Sequence, residues 1–159
     1  MVADLGVGYG HYTYALSEAV GPNGKVFAID VRKDMLERLK KEVDEKGVKN
    51  VEIIWGDIEI VGGTKLRRDL LDAIVITNVL FQIDSKAGLV HECARILKTG
   101  GKLMLIDWSE SFAGIGPEPG AIVEEALARQ IFETGPFEYK KSISTGEHHY
   151  GMVFEKKEA

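Results

Sequence analysis

Three glycines, three carboxylates and one amide carry the chemistry that this chain can do. Within residues 2–10, VADLGVGYG, Asp4 stands two residues before Gly6, and Gly6, Gly8 and Gly10 alternate along the turn that follows. Glycines strip a turn of side chains, so a ligand can approach the backbone closely. Val2, Ala3 and Leu5 before them, and helical spacing after them, predict a strand, a turn and a helix N-terminus. That order leaves free N–H groups and the positive end of a helix dipole facing one point, which suits a nucleotide-like ligand. A glycine pattern alone is a weak signal. It gains weight because Asp30, twenty residues beyond Gly10, ends a second apolar run, Asp57 follows a third, and Asn78 lies near the end of a fourth.

The elements that must position these residues are legible in the spacing. Tyr12, Ala15, Leu16 and Ala19 form a helical stripe that Gly21 and Pro22 end. Residues 25–30 and 51–55 read as buried strands, and residues 33–46 between them as a surface helix with Met35, Leu36, Leu39 and Val43 inward. Residues 59–69 are poorly patterned, with a short helix expected around residues 66–70. Residues 71–80 form the most apolar run and a central strand. Ser85 caps a helix carrying Leu89, Val90, Cys93, Ile96 and Leu97, which Gly100 and Gly101 close before a strand at residues 102–108. Glycines and two prolines make residues 111–120 a loop, and residues 121–134 a further helix. Residues 137–144 and 150–156 alternate as an antiparallel hairpin. Parallel neighbours need helical crossovers, so the fold class is α/β: a doubly wound Rossmann-like sheet, mostly parallel, with a C-terminal antiparallel hairpin. Ligands in such sheets bind at the carboxyl ends of the strands, and Asp4, Asp30, Asp57 and Asn78 fall at or near those ends or in the loop that follows.

Composition narrows the partners. A chain of 159 residues, 45% hydrophobic and 28% charged, fits one globular domain spanning residues 1–159. No apolar run reaches membrane-spanning length and no secretory leader is present, so the cytoplasm is the expected compartment. A net charge of −5 without a basic cluster argues against nucleic acid. Cys93, the single cysteine, falls on an apolar stripe as a buried thiol. No spacing of His, Cys and carboxylate suggests a metal site.

The chain resembles the S-adenosylmethionine-dependent methyltransferases of the Rossmann-like class, in particular those of ubiquinone and menaquinone biosynthesis. The resemblance rests on VADLGVGYG at residues 2–10, VFAID at 26–30, WGDI at 55–58, DAIVITNVLFQI at 72–83 and ARILKTGGKLMLIDW at 94–108, with GPEPG at 116–120 and HHYGMVFEK at 148–156. It implies S-adenosylmethionine as cofactor. Gly6, Gly8 and Gly10 would lie against its methionine and ribose part and Asp4 would help to orient it. Asp30, with Val31 beside it, would bond the ribose hydroxyls, since a carboxylate accepts from both hydroxyls of a diol. Asp57 would sit near the adenine amino group with Ile58 against the ring, and Asn78 and Val79 would line the methyl-transfer end. The implied reaction is in-line transfer of a methyl group to a carbon, oxygen, nitrogen or sulfur of a small molecule, a base being needed only where the acceptor must lose a proton. No residue is assigned that role. Tyr9 either gates the pocket or packs over the helix start, and His11 either reaches the site or only begins the helix. His148 and His149 fit a solvated turn.

Two other readings compete. A nicotinamide-dependent oxidoreductase also places an acid about twenty residues after a glycine loop. Against it stand the acid two residues before Gly6, the absence of any Tyr-x-x-x-Lys pair and the terminal hairpin. The other is a cofactor-binding module that is non-catalytic or needs a partner. Family members carry a helical cap before the first strand, and these residues lack one. The expectation is therefore an uncovered sheet face beside residues 2–5 and 74–76, and a homodimer or larger assembly.

Overall fold

The computed structural model describes residues 1–158. One seven-stranded sheet, ordered β3-β2-β1-β4-β5-β7-β6, organises the chain. Its strands are β1 (Val2–Leu5), β2 (Val26–Asp30), β3 (Val51–Trp55), β4 (Leu71–Thr77), β5 (Leu97–Trp108), β6 (Phe137–Ser142) and β7 (His149–Lys156). The first five are parallel, while β7 pairs antiparallel with both β5 and β6. The expected hairpin is present with its later strand inside and β6 on the edge. Strand order reverses between β1 and β4, which is where doubly wound sheets open a ligand crevice.

Helices α1 (His11–Val20) and α2 (Lys33–Glu45) connect β1, β2 and β3 on one side. On the other, α3 (Lys86–Ile96) and α4 (Glu125–Glu133) cover a core in which Leu5, Ile29, Ile74, Ile76, Leu103, Leu105 and Phe154 are fully buried. Ser85 caps α3, its hydroxyl accepting from the Gly88 amide. Cys93 is buried within this core, and burial pushes its thiol far above the ordinary range.

Four local expectations are corrected. No helix forms at residues 66–70: Lys65 and Asp69 have φ of 62° and 49°, which a right-handed helix cannot hold, although Leu66 and Leu70 are still buried. Helix α3 ends at Ile96, not at Gly100, because Leu97 is already extended and pairs with Leu71. Helix α4 starts at Glu125, after a 3-10 turn at Pro119–Ala121. On α1 the buried positions are Thr13 and Ser17, whereas Ala15 and Ala19 are exposed and Tyr12 and Leu16 half-buried. Polar partners decide that orientation: the Thr13 hydroxyl donates to buried Asp4 at 2.6 Å, and the Ser17 hydroxyl to Asn50 at 2.6 Å.

The uncovered face expected beside residues 2–5 and 74–76 is absent. Ala3, Leu5, Ile74 and Ile76 are fully buried under α3 and the preceding loop, and Asp4 and Val75 are 1% and 4% exposed. The half-buried apolar side chains lie nearby on the α1 side of the sheet, at Ala73, Met104 and Val153.

Candidate functional site

A cavity of about 520 Å³ opens at the carboxyl ends of β1, β2, β3 and β4. Gly6, Val7 and Gly8 form one wall, Asp30, Val31 and Arg32 the next, and Gly56, Asp57, Ile58 and Glu59 a third. Thr77, Asn78, Val79, Phe81, Gln82 and Ile83 close the opposite side, with Tyr9, His11, Tyr12 and Trp108 completing the lining. Of the ten residues singled out in the sequence, eight line this cavity. Asp4 and Gly10 do not reach it: Asp4 is buried beneath the glycine turn, and Gly10 packs against Leu39.

The glycine turn works by close packing. Gly6, Gly8 and Gly10 have φ of 78°, 55° and 79°. A Cβ on Gly6 would stand 2.4 Å from Val79 Cγ2, and one on Gly10 2.7 Å from Leu39 Cδ1. The free N–H groups expected of this turn are not those of the glycines; they lie at the start of α1, where Tyr14 is the first residue whose amide bonds back to the turn, at Gly10 O. The Gly6 amide donates to Ile29 O, the Gly10 amide to Val7 O, and the Gly8 amide to Asp30 Oδ2 at 3.2 Å. The three glycines therefore offer a ligand close backbone approach, with no row of unpaired donors such as a pyrophosphate draws on.

Asp30 ends β2 and is 4% exposed. Besides Gly8, it accepts from the Arg32 amide at 2.9 Å and from Arg32 Nε and Nη2 at 3.2 and 3.3 Å. Burial pushes its carboxyl up, and the hydrogen bonds from Arg32 and Gly8 outweigh that effect, holding it below the ordinary carboxylate value. It is a fixed acceptor at the cavity edge. Asp57 closes the turn after β3, its Oδ1 accepting from the Glu59 amide at 2.8 Å. Ile58 is buried beside it, and Val31 is 52% exposed. Asn78 has φ of 54°, and its buried Oδ1 has no hydrogen-bond partner.

Asp4 has the opposite environment to Asp30. Burial raises its carboxyl to about 7; the Thr13 hydroxyl opposes the shift and the charge of Asp30 adds to it. Its Oδ1 has no partner. A carboxyl held above its unfolded value binds its proton more tightly when folded, so its contribution favours folding below about pH 4 and is lost as pH rises toward 7. Replacing Asp4 by asparagine is expected to flatten that loss, of up to about 4 kcal/mol, between pH 4 and 8. Urea denaturation of both proteins across that range tests it, and parallel stability curves would contradict it.

Three positions escaped the sequence reading. Arg32 holds Asp30, and its position two residues along made it findable. Asp107, 1% exposed in β5, accepts at one oxygen from the amides of Val79 (3.0 Å) and Leu80 (2.8 Å), fixing the cavity wall after β4. Its only sequence signal was an acid at the end of the apolar run LMLI. Trp108 lines the cavity and packs on His149, ring centroids 4.2 Å apart, so that histidine lies in a strand and not in a turn. His148 stacks on Phe112 at 4.1 Å and lies 3.0 Å from Glu110. Tyr9 is 59% exposed at the cavity mouth beneath the Arg38 guanidinium.

Comparison with known proteins places the chain. A family described as a methyltransferase domain matches residues 1–158. A demethylmenaquinone methyltransferase from Lactococcus lactis is 32% identical over 108 residues, 68% of this chain and 42% of that protein. The human arsenite methyltransferase is 34% identical over 112 residues, 67% of this chain and 30% of that protein. The chain thus spans less than half the length of these relatives. A crystal structure of a SAM dependent methyltransferase from Aquifex aeolicus superposes with a TM-score of 0.89 at 27% identity, covering 98% of this chain and 81% of that one. With the family match running from residue 1 to residue 158, this chain belongs to the methyltransferase-domain family.

Proposed function

We propose that residues 1–159 form a single S-adenosylmethionine-binding domain that transfers the cofactor's methyl group to a small-molecule acceptor, with the cytoplasm as its compartment. The observation that carries this reading is the cavity at the β1–β4 switch point, where Asp30, Asp57 and Asn78 meet a turn whose three glycine amides are already paired. That combination suits a ligand with a diol, an amino-bearing base and a cationic centre.

When bound, S-adenosylmethionine supplies an activated methyl group on a sulfonium. The chain's own task is to bind, align and dehydrate. Asp30, whose acceptor positions are taken by Gly8 and Arg32, receives the ribose hydroxyls in place of the Arg32 side chain, with Val31 and Ile58 as apolar walls and Asp57 at the adenine end. Gly6 and Gly8 permit backbone approach, and Asn78 and Val79 line the transfer end. Asp4 and Gly10 support the turn from beneath. Holding donor and acceptor in a near-attack arrangement in a dry site lowers the barrier without a proton transfer. Relatives named as a demethylmenaquinone methyltransferase and as an arsenite methyltransferase support a small-molecule acceptor.

Asp30→Ala is expected to weaken S-adenosylhomocysteine binding by about 1.5–3 kcal/mol, the scale of a lost hydrogen bond to a charged group. Calorimetric titration reads it directly, and unchanged affinity would remove Asp30 from the site.

One observation favours a partner-dependent form. Ala15 and Ala19 on α1 are exposed, and Leu16 with Ala73, Met104 and Val153 is half-buried, all on one side of the sheet. Apolar surface of this kind is covered in many proteins by association. A homodimer or larger assembly is the proposed state, and a concentration-independent monomer in sedimentation would refute it.

A further inference from the structure

We infer that Glu92, which lines no part of the cofactor cavity, is the buried anchor that holds residues 56–64 in the shape presenting Asp57, Ile58 and Glu59 to it. The inference rests on the proposed cofactor role of that wall. Residues 56–64 belong to the connection from β3 to β4, residues 56–70, which has no helix or strand of its own, so their shape must be imposed by other contacts.

Inside the loop, the Asp57 amide donates to Gly63 O at 3.2 Å and the Gly63 amide to Ile60 O at 2.8 Å. A Cβ on Gly63 would lie 2.1 Å from Asp57 O, so backbone at residue 63 presses directly on backbone at residue 57. Movement of residues 62–64 therefore moves Asp57.

Glu92 grips that return segment. It is fully buried in α3 and accepts from the Gly62 amide at 2.7 Å, the Thr64 amide at 3.2 Å, the Thr64 hydroxyl, and Arg95 Nε and Nη2 at 2.8 and 2.7 Å. Every partner is a donor, so the site demands acceptors at both side-chain oxygens. A carboxylate meets that demand, whereas a glutamine must turn an NH₂ toward N–H groups. The near end of the loop is pinned to the same helix: Glu59 Oε2 accepts from the Ser85 amide at 2.5 Å, and a Cβ on Gly88 would meet Glu59 O at 1.9 Å. Helix α3 thus holds the cavity wall at two points, and Glu92 is a positioning residue for it.

Glu92→Gln, Thr64→Val and Thr64→Ser test this. Affinity for S-adenosylhomocysteine is measured by calorimetry at a temperature where thermal melts show each protein folded, and turnover is measured with varied S-adenosylmethionine. The expected result is at least a tenfold weaker Kd for Glu92→Gln and a several-fold weaker one for Thr64→Val. Thr64→Ser, which keeps the hydroxyl, should stay within twofold of the wild type. KM for the cofactor should rise with kcat unchanged, the signature of lost uniform binding. A role in stability alone would lower Tm and leave Kd untouched, and that outcome overturns the inference. Should Glu92→Gln fail to fold, the Thr64 pair decides. Wild-type protein that binds no S-adenosylhomocysteine overturns the proposed function together with the anchor; wild-type binding with unaltered variants overturns the anchor alone.

Discussion

Gly6→Ala is expected to destabilise the protein by about 2–5 kcal/mol and to abolish measurable cofactor binding. Two costs combine. The residue sits at φ of 78°, a left-handed conformation that costs an L side chain about 1–2 kcal/mol. The new Cβ would also stand 2.4 Å from Val79 Cγ2, an overpacking of the kind that costs about 1–3 kcal/mol. Val79 cannot simply step aside, because it is 5% exposed and its amide is tied to Asp107. Denaturant unfolding gives the stability change. Adding Val79→Ala should restore the steric part and leave the conformational part, so complete rescue by that second change would contradict the account.

Asp107→Ala is expected to cost about 2–6 kcal/mol and to loosen the cavity wall at Asn78 and Val79, because it strands the buried amides of Val79 and Leu80 without an acceptor. Each orphaned donor carries a penalty of about 1–3 kcal/mol. Asp107→Asn keeps an amide oxygen for these two donors and turns its NH₂ only toward the Trp108 amide, which meets Oδ1 at 2.9 Å, so it should lose less than the alanine variant. Burial raises the Asp107 carboxyl against the pull of those same backbone hydrogen bonds. Urea unfolding of both variants tests the ranking, and an asparagine variant as damaged as the alanine one would show that the amides are not the reason.

The residues that sequence reading placed in the cavity were those whose position follows from their own strand. Asp30 ends β2 and Asp57 lies two residues past the end of β3, so an apolar run followed by an acid was enough to locate them. Asp107 acts on residues 79 and 80 only because β5 lies beside β4, a pairing that no local pattern encodes. Hydrophobic periodicity misplaced the buried face of α1, since Asp4 and Asn50 offer hydrogen bonds that draw Thr13 and Ser17 inward. Residues 65 and 69 broke the expected short helix through positive φ at a lysine and an aspartate, which neither residue type announces. The sheet faces at residues 2–5 and 74–76 looked uncovered while only helices were counted as cover; Leu66 and Leu70 reach the core from irregular backbone.

The central claim is that the cavity at the switch point takes S-adenosylmethionine. Its most direct test is calorimetric titration of the purified protein with S-adenosylhomocysteine and, separately, with a reduced nicotinamide dinucleotide. The account predicts saturable binding of the first at one site per chain, weakened by Asp30→Ala, and no saturable binding of the second. Tighter binding of the dinucleotide, or no binding of S-adenosylhomocysteine, would contradict it.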